Sequence, residues 1–196
     1  MTTRSTAGGG RASARPPALV VIDMQQIFRS PGSQWATVGY DAAAGRIETL
    51  VSAAEGPVVW TRFVRDEAEP GSWRGYYDRW SECREPADSP AWDLTMPARE
   101  EDSVLTLPTF SKWGDELAEL TEGRDLVVCG VATDCCVLST VLGAVDSGTP
   151  VTVVTDACAG ATEEAHDQAV ALMGMLAPMV RLARTAELVG GAAPPP

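Results

Sequence analysis

The stretch Leu126-Val127-Val128-Cys129-Gly130-Val131-Ala132-Thr133-Asp134-Cys135-Cys136-Val137 decides how the rest of the chain reads. Its first half is apolar and rich in β-branched residues, the mark of a strand buried on both faces. Gly130 breaks the run, Ala132-Thr133-Asp134 forms a tight turn, and a helical pattern follows from Cys135 to about Ser147, with Thr133 or Asp134 expected as its cap. Two thiols therefore stand at a strand-to-helix corner. Backbone N–H groups at a helix start lack intrahelical acceptors, and the helix dipole adds partial positive charge, so a thiolate and any oxyanion beside it are both favoured there. A cysteine at this corner is placed to act as a nucleophile.

The same alternation extends outward in both directions. Ala18 to Met24 reads as a buried strand carrying an acid, Asp23, near its end, and a carboxylate there is costly unless paired or used. A helix from Asp41 to about Glu55 and a strand from Pro57 to Val64 complete a β-α-β unit. Val104 to Pro108 is short and extended, Gly114 to Thr121 is a short helix, and Pro150 to Asp156 is another buried strand. Thr162 begins a helix to about Leu176 in a cap-then-acid pattern, and Met179 to Leu182 gives a last strand. Strands apolar on both faces that alternate with helices predict a three-layer α-β-α architecture around a mostly parallel, Rossmann-like sheet. In such sheets the site lies at the strands' carboxyl ends. Asp23, Lys112 and the Cys135-Cys136 pair all fall at or just after such ends. A carboxylate, an ammonium and a thiol brought to one edge are what covalent acyl transfer needs.

Residues 65–103 break the pattern. They hold Trp73, Tyr76, Tyr77, Trp80 and Trp92 among many charges and four prolines, with no clean periodicity. So long an aromatic insert reads either as a lid or pocket wall, or as a cover for the sheet or a subunit contact. Residues 1–17 and 189–196 are polar or Gly/Ala/Pro-rich and are expected to be disordered ends, leaving one domain over 18–188.

The chain has 196 residues, 45% of them hydrophobic, and a formal charge of −12. Arg4, Arg11 and Arg15 are the only charges in the first 17 residues, so the body alone carries −15. That argues against a nucleic-acid partner. No apolar run approaches a membrane span and no secretory leader is evident, so free thiols and a cytoplasmic location are expected. Lys112 is the only lysine among 15 basic residues; a compact point charge can be buried and tuned where an arginine fork cannot. His166, the single histidine, falls on the helix from Thr162 and reads as surface or packing rather than as a ligand. Cys83, Cys129 and Cys158 read as packing thiols.

Three segments together, Val21-Ile22-Asp23-Met24-Gln25-Gln26-Ile27-Phe28, Phe110-Ser111-Lys112 and Gly130 through Val137, resemble the isochorismatase-like cysteine hydrolases, a group that includes nicotinamidases, N-carbamoylsarcosine amidases and streptothricin hydrolase. The resemblance runs from about Ala18 to Leu188, with the motifs in the family's order. It implies an Asp–Lys–Cys triad of Asp23, Lys112 and Cys136, since the nucleophile is the cysteine that precedes valine; position alone does not separate Cys135 from Cys136. It also implies a cis peptide between Val131 and Ala132, an oxyanion hole from the N–H groups of Ala132 and Cys136, and pocket contacts from Gln25 and Phe28. Trp73, Tyr77, Trp80 and Trp113 are candidate substrate contacts for a flat or cationic group, or else lid or subunit packing.

The implied reaction is hydrolysis of a small carboxamide, lactam or ureide through a thioester, without a cofactor, in a homodimer or homotetramer. A streptothricin-hydrolase-like lactam hydrolase and a nicotinamidase-like enzyme are alternatives. Isochorismatases proper lack the nucleophilic cysteine. Nicotinamidases hold a metal with an acid and two histidines after the second strand, where this chain has Asp66, Glu67 and Glu69 but no histidine, so no metal site is expected. A thiol redox protein using Cys135-Cys136 is disfavoured, because vicinal cysteines close only a strained ring. A catalytically silent binding protein would not be expected to keep all three triad residues. One thiol reacting fast with iodoacetamide at neutral pH, and shielded by substrate, is expected of the catalytic reading.

Overall fold

The computed structural model describes residues 15–190. Six strands, β1 (Ala18–Ile22), β2 (Val58–Phe63), β3 (Ser103–Leu107), β4 (Leu126–Val131), β5 (Val151–Ala159) and β6 (Val180–Ala183), form one sheet in the order β3-β2-β1-β4-β5-β6. Every pairing is parallel. The order reverses between β1 and β4, which makes the gap beyond their carboxyl ends the topological switch point where open α/β sheets bind ligands.

Helices cover both faces in three layers. On one, α2 (Tyr40–Ala53) turns Ile47, Leu50 and Val51 onto β4 and β5 and meets α7 (Thr185–Val189). On the other, α5 (Leu138–Asp146) and α6 (Glu163–Gly174) pack together over β5. The short helices α1 (Gln26–Arg29), α3 (Trp73–Arg79) and α4 (Asp115–Leu120) lie in the connections that follow β1, β2 and β3. β1 and β4 are buried along their whole length, which is why their sequences are apolar without alternation.

Three features differ from expectation. Thr133–Val137 is a π-helical turn that precedes α5, so the helix begins before the cysteines, and neither Thr133 nor Asp134 caps it; Ala132 is the N-cap and contributes no side chain. A π-turn is rare and often sits at a functional site. Residues 15–17 are held rather than loose: the Arg15 guanidinium donates to the Glu122 carbonyl, and Arg124 donates to the Pro16 carbonyl at 3.0 Å. Val189 ends α7, inside the segment assigned to the tail, while the expected disorder of 1–14 and 191–196 lies outside the described residues. No described helix is long and apolar enough to cross a membrane.

Gly130 lets β4 approach β1. Its φ is +115°, and a Cβ there would strike the backbone of Ile22, its partner in the β1–β4 ladder. Gly130→Ala is expected to cost at least about 2–3 kcal/mol through both effects. It should also disturb the turn two residues later, and a denaturant midpoint with residual-activity measurement checks both.

Candidate active site

Asp23 follows β1 in a left-handed backbone conformation (φ 48°). Thr61 on the neighbouring strand β2 holds it twice: the Asp23 N–H donates to Thr61 Oγ1 at 3.1 Å, and that hydroxyl donates to Asp23 Oδ1 at 2.6 Å. Thr61 is fully buried, and its pairing gives a polar side chain in a strand core a clear use. Lys112 lies in the loop after β3, reaches inward, and places Nζ 3.1 Å from Asp23 Oδ2 with both side chains fully buried. Its ammonium also donates to the Thr109 carbonyl at 2.7 Å and stands 4.9 Å from the centre of the Phe63 ring. Asp23 Oδ2, although beside this charge, accepts no well-directed hydrogen bond. One carboxylate oxygen is thus anchored by Thr61, and the other is held in the ion pair with Lys112.

The third group comes from the β4 corner. The Val131–Ala132 peptide is cis, at the bond the resemblance implies. No backbone acceptor is paired with the Ala132 N–H among the described residues. The Cys136 thiol is buried in the π-turn. Its neighbour Cys135, burial and the Asp23 carboxylate all push this thiol well above the usual cysteine range, against the opposing pull of Lys112. That is the reverse of the lowering expected from a helix start alone, because the sulfur is desolvated and the Lys112 charge is already shared with Asp23.

A cavity of about 220 Å³ opens over Cys136. Phe28 and Trp80 line it, as do Ala132 and Cys135. Tyr76 lines it and Tyr77 does not: Tyr77 is buried, its ring 5.9 Å from that of Tyr76 and its centre 5.4 and 6.0 Å from the Arg65 and Arg84 guanidinium groups. Trp73 packs behind, its ring 4.8 Å from Phe110 and 5.8 Å from Phe63, both of which reach the cavity. Two other candidates lie elsewhere. The Gln25 amide is fully buried and spent on backbone: it donates to the Phe63 and Trp92 carbonyls and accepts from the Phe63 N–H, stapling β1 to the 65–103 segment. Trp113 lies against Gly143 of α5, away from the cavity.

Trp35 was not foreseen. It sits in the Pro/Gly/Ser-rich loop after α1, yet its ring touches Phe28, Phe63, Tyr76, Tyr77 and Trp92 at 5.6–6.2 Å and forms a cavity wall. Loop composition hid it, since such loops usually lie on the surface. Asp134 and His166 are also tied to the nucleophile turn: Asp134 Oδ1 accepts the Ala161 N–H at 2.9 Å, and His166 Nδ1 pairs with Thr133 Oγ1 at 2.9 Å. A larger groove of about 280 Å³ lies among Pro17, Leu19, Leu50, Val127 and Leu188 and holds no nucleophile.

The acids after β2 are engaged in structure. Glu69 takes Arg65 at 2.6 Å and Arg84 at 2.8 Å, Asp66 accepts the Ala68 N–H, and Glu67 accepts the Ala87 N–H. Among the described residues no three His, Cys, Asp or Glu side chains are grouped to hold a metal ion. The residues present do not fit the nicotinamidase type of metal site, and no chemical step is derived through one. The arginines, Arg84 foremost, hold the Glu69 carboxyl at about 2, below its ordinary 4.5. A lowered carboxyl pKa in the folded state contributes stability that is complete above about pH 4.5 and fades as pH falls toward 2. Acid titration followed by tryptophan fluorescence should show this segment loosening in that window, and Glu69→Gln should remove the transition.

A six-stranded parallel sheet with Asp23, Lys112 and Cys136 just beyond its strands' carboxyl ends defines a class, the three-layer α/β proteins. A model of the isochorismatase domain family matches residues 17–186, and the chain belongs to the isochorismatase-like hydrolase family. A cysteine hydrolase from Pseudomonas syringae pv. phaseolicola shares the fold with TM-score 0.78 and 19% identity, over 91% of this chain and 97% of that one. A pyrazinamidase of Pyrococcus horikoshii in complex with zinc aligns with TM-score 0.66 and 23% identity, over 85% and 98%. The isochorismatase domain-containing protein 2 of Xenopus laevis is 39% identical over 49 residues, 25% of this chain; the match spans about a quarter of that curated relative.

Proposed function

We propose that the protein is a cysteine-dependent amidohydrolase that cleaves a C–N bond of a small carboxamide, lactam or ureide. The observation that supports this reading is the buried Asp23–Lys112 ion pair, whose two charges both act on the buried Cys136 thiol at the turn after β4. Asp23 accepts the Cys136 proton as Sγ attacks the carbonyl carbon, so the reactive thiolate forms only as the C–S bond forms. The N–H groups of Ala132 and Cys136 receive the oxyanion. Collapse of the tetrahedral species breaks the C–N bond while Asp23 returns its proton to the leaving nitrogen, which departs as ammonia or an amine (in a lactam it stays tethered). Water then yields a proton to Asp23 and adds to the thioester; the C–S bond breaks, and the proton returns to sulfur. Lys112 holds Asp23 in place through the 3.1 Å ion pair.

A cavity of about 220 Å³, roughly seven waters' volume, suits a substrate of single-ring size. The test is an ammonia-release screen over amides, ureides and lactams, with ring opening followed by mass for the last. Turnover by the wild type that vanishes in Cys136→Ala and persists in Cys135→Ala supports the reading; turnover retained in Cys136→Ala ends it.

A further inference from the structure

Resting on the amidohydrolase reading, we propose that this site selects a substrate carrying a compact positive charge near the scissile amide, and that Asp134 is the specificity-determining residue. Asp134 is the one charged residue lining the cavity above Cys136. It takes part in no ion pair among the described residues, and its one polar contact there is Oδ1 accepting the neutral Ala161 N–H at 2.9 Å. No arginine or lysine lines the cavity, and Lys112 is committed to Asp23. The half-buried Asp134 carboxylate has no counter-charge beside it, so an incoming cation would find its electrostatic partner there.

The remaining walls fit the same ligand. Trp35, Tyr76, Trp80 and Phe110 present aromatic surface to the cavity, and aromatic faces attract cations, most strongly where water is excluded. A carboxylate among aromatic rings favours a cation, tolerates a neutral group and repels an anion. A cavity of this volume suits a compact charge close to the amide. A purely structural role for Asp134, latching the β5–α6 loop through Ala161, needs only an acceptor oxygen, which asparagine would supply equally well. Charge and latch are therefore separable by Asp134→Asn.

The experiment uses three small carboxamides of nearly the same shape: 1-methylnicotinamide (cationic), 3-methylbenzamide (neutral) and 3-carbamoylbenzoate (anionic). Calorimetric titration into the full-length Cys136→Ala variant, which cannot form the thioester, reads binding without turnover. The cation is expected to bind at least tenfold more tightly than the neutral probe, and the anion most weakly. Adding Asp134→Asn should reduce the cation's advantage below threefold while changing the neutral probe's affinity less than threefold. Equal or weaker binding of the cation, equal weakening of both probes by Asp134→Asn, or no binding of any probe at millimolar concentration overturns the proposal. Ammonia release from the same probes by the wild type is measured in parallel. Selective cation binding without hydrolysis would count against the amidohydrolase reading and leave charge selection standing.

Discussion

Cys136→Ala is expected to lower turnover of any substrate found in the screen by at least about 10⁴-fold, while shifting the thermal midpoint by only a few degrees. Removing the nucleophile of a covalent mechanism abolishes the covalent route itself, which is why such losses approach the whole chemical contribution of the catalytic set. The fold should survive, because the side chain is small and the turn that carries it is fixed independently: the Cys135 and Val137 N–H groups donate to the Ala132 carbonyl at 3.0 and 3.1 Å. Cys136→Ser is expected to be nearly as inactive. A hydroxyl gives up its proton to Asp23 far less readily than a thiol does. Cys135→Ala should stay within about tenfold of wild type, since Cys135 lines the cavity beside Cys136 but forms no bond to the substrate in the proposed mechanism. Steady-state kinetics and thermal denaturation of the three variants decide this together.

Lys112→Met is expected to destabilise the protein by about 3–5 kcal/mol, the range for removing one partner of a buried ion pair. For a domain of this size that corresponds to a fall of roughly 10 °C in thermal midpoint. The Asp23 carboxylate would be left fully buried, with Thr61 satisfying one oxygen and nothing opposite the other. Restoring charge with arginine should not rescue activity, because the forked guanidinium needs more room than an ammonium wedged between Asp23, the Thr109 carbonyl and the Phe63 ring. The double variant Asp23→Asn/Lys112→Met should recover part of the lost stability without recovering turnover, since it removes both charges. A midpoint for Lys112→Met within about 2 °C of wild type would show that the pair is not the buried, mutually dependent unit described above.

The core of the fold was legible because its strands are apolar on both faces and the chain alternates them with helices. β1 and β4 in particular admit no other reading, and Asp23 and Lys112 drew attention by type: an acid ending an apolar strand and a solitary lysine. What stayed hidden was phase and long-range placement. Without the start of α3, nothing in the sequence tells which of Tyr76 and Tyr77 reaches the cavity and which packs into the aromatic cluster behind it. The resemblance implies a pocket contact from Gln25, and Trp113 stands beside Lys112, yet neighbours on irregular or extended chain often point apart, as these do. Segment 65–103 gave no period because it is one short helix and two 3-10 turns braced by Arg65, Glu69 and Arg84. The caps assigned to Thr133 and Asp134 failed for a similar reason. Their side chains bond across space to His166 and Ala161, contacts set by the packing of α6 and invisible in local sequence.

The most direct measurement is acid quenching of the wild type during steady-state turnover of a substrate from the screen, followed by proteolysis and mass mapping of the cysteines. The mechanism predicts the substrate's acyl mass on Cys136 and on no other residue, lost on returning the protein to neutral buffer. An enzyme that turns over with no acyl mass on any cysteine, or with that mass on Cys135, would contradict it.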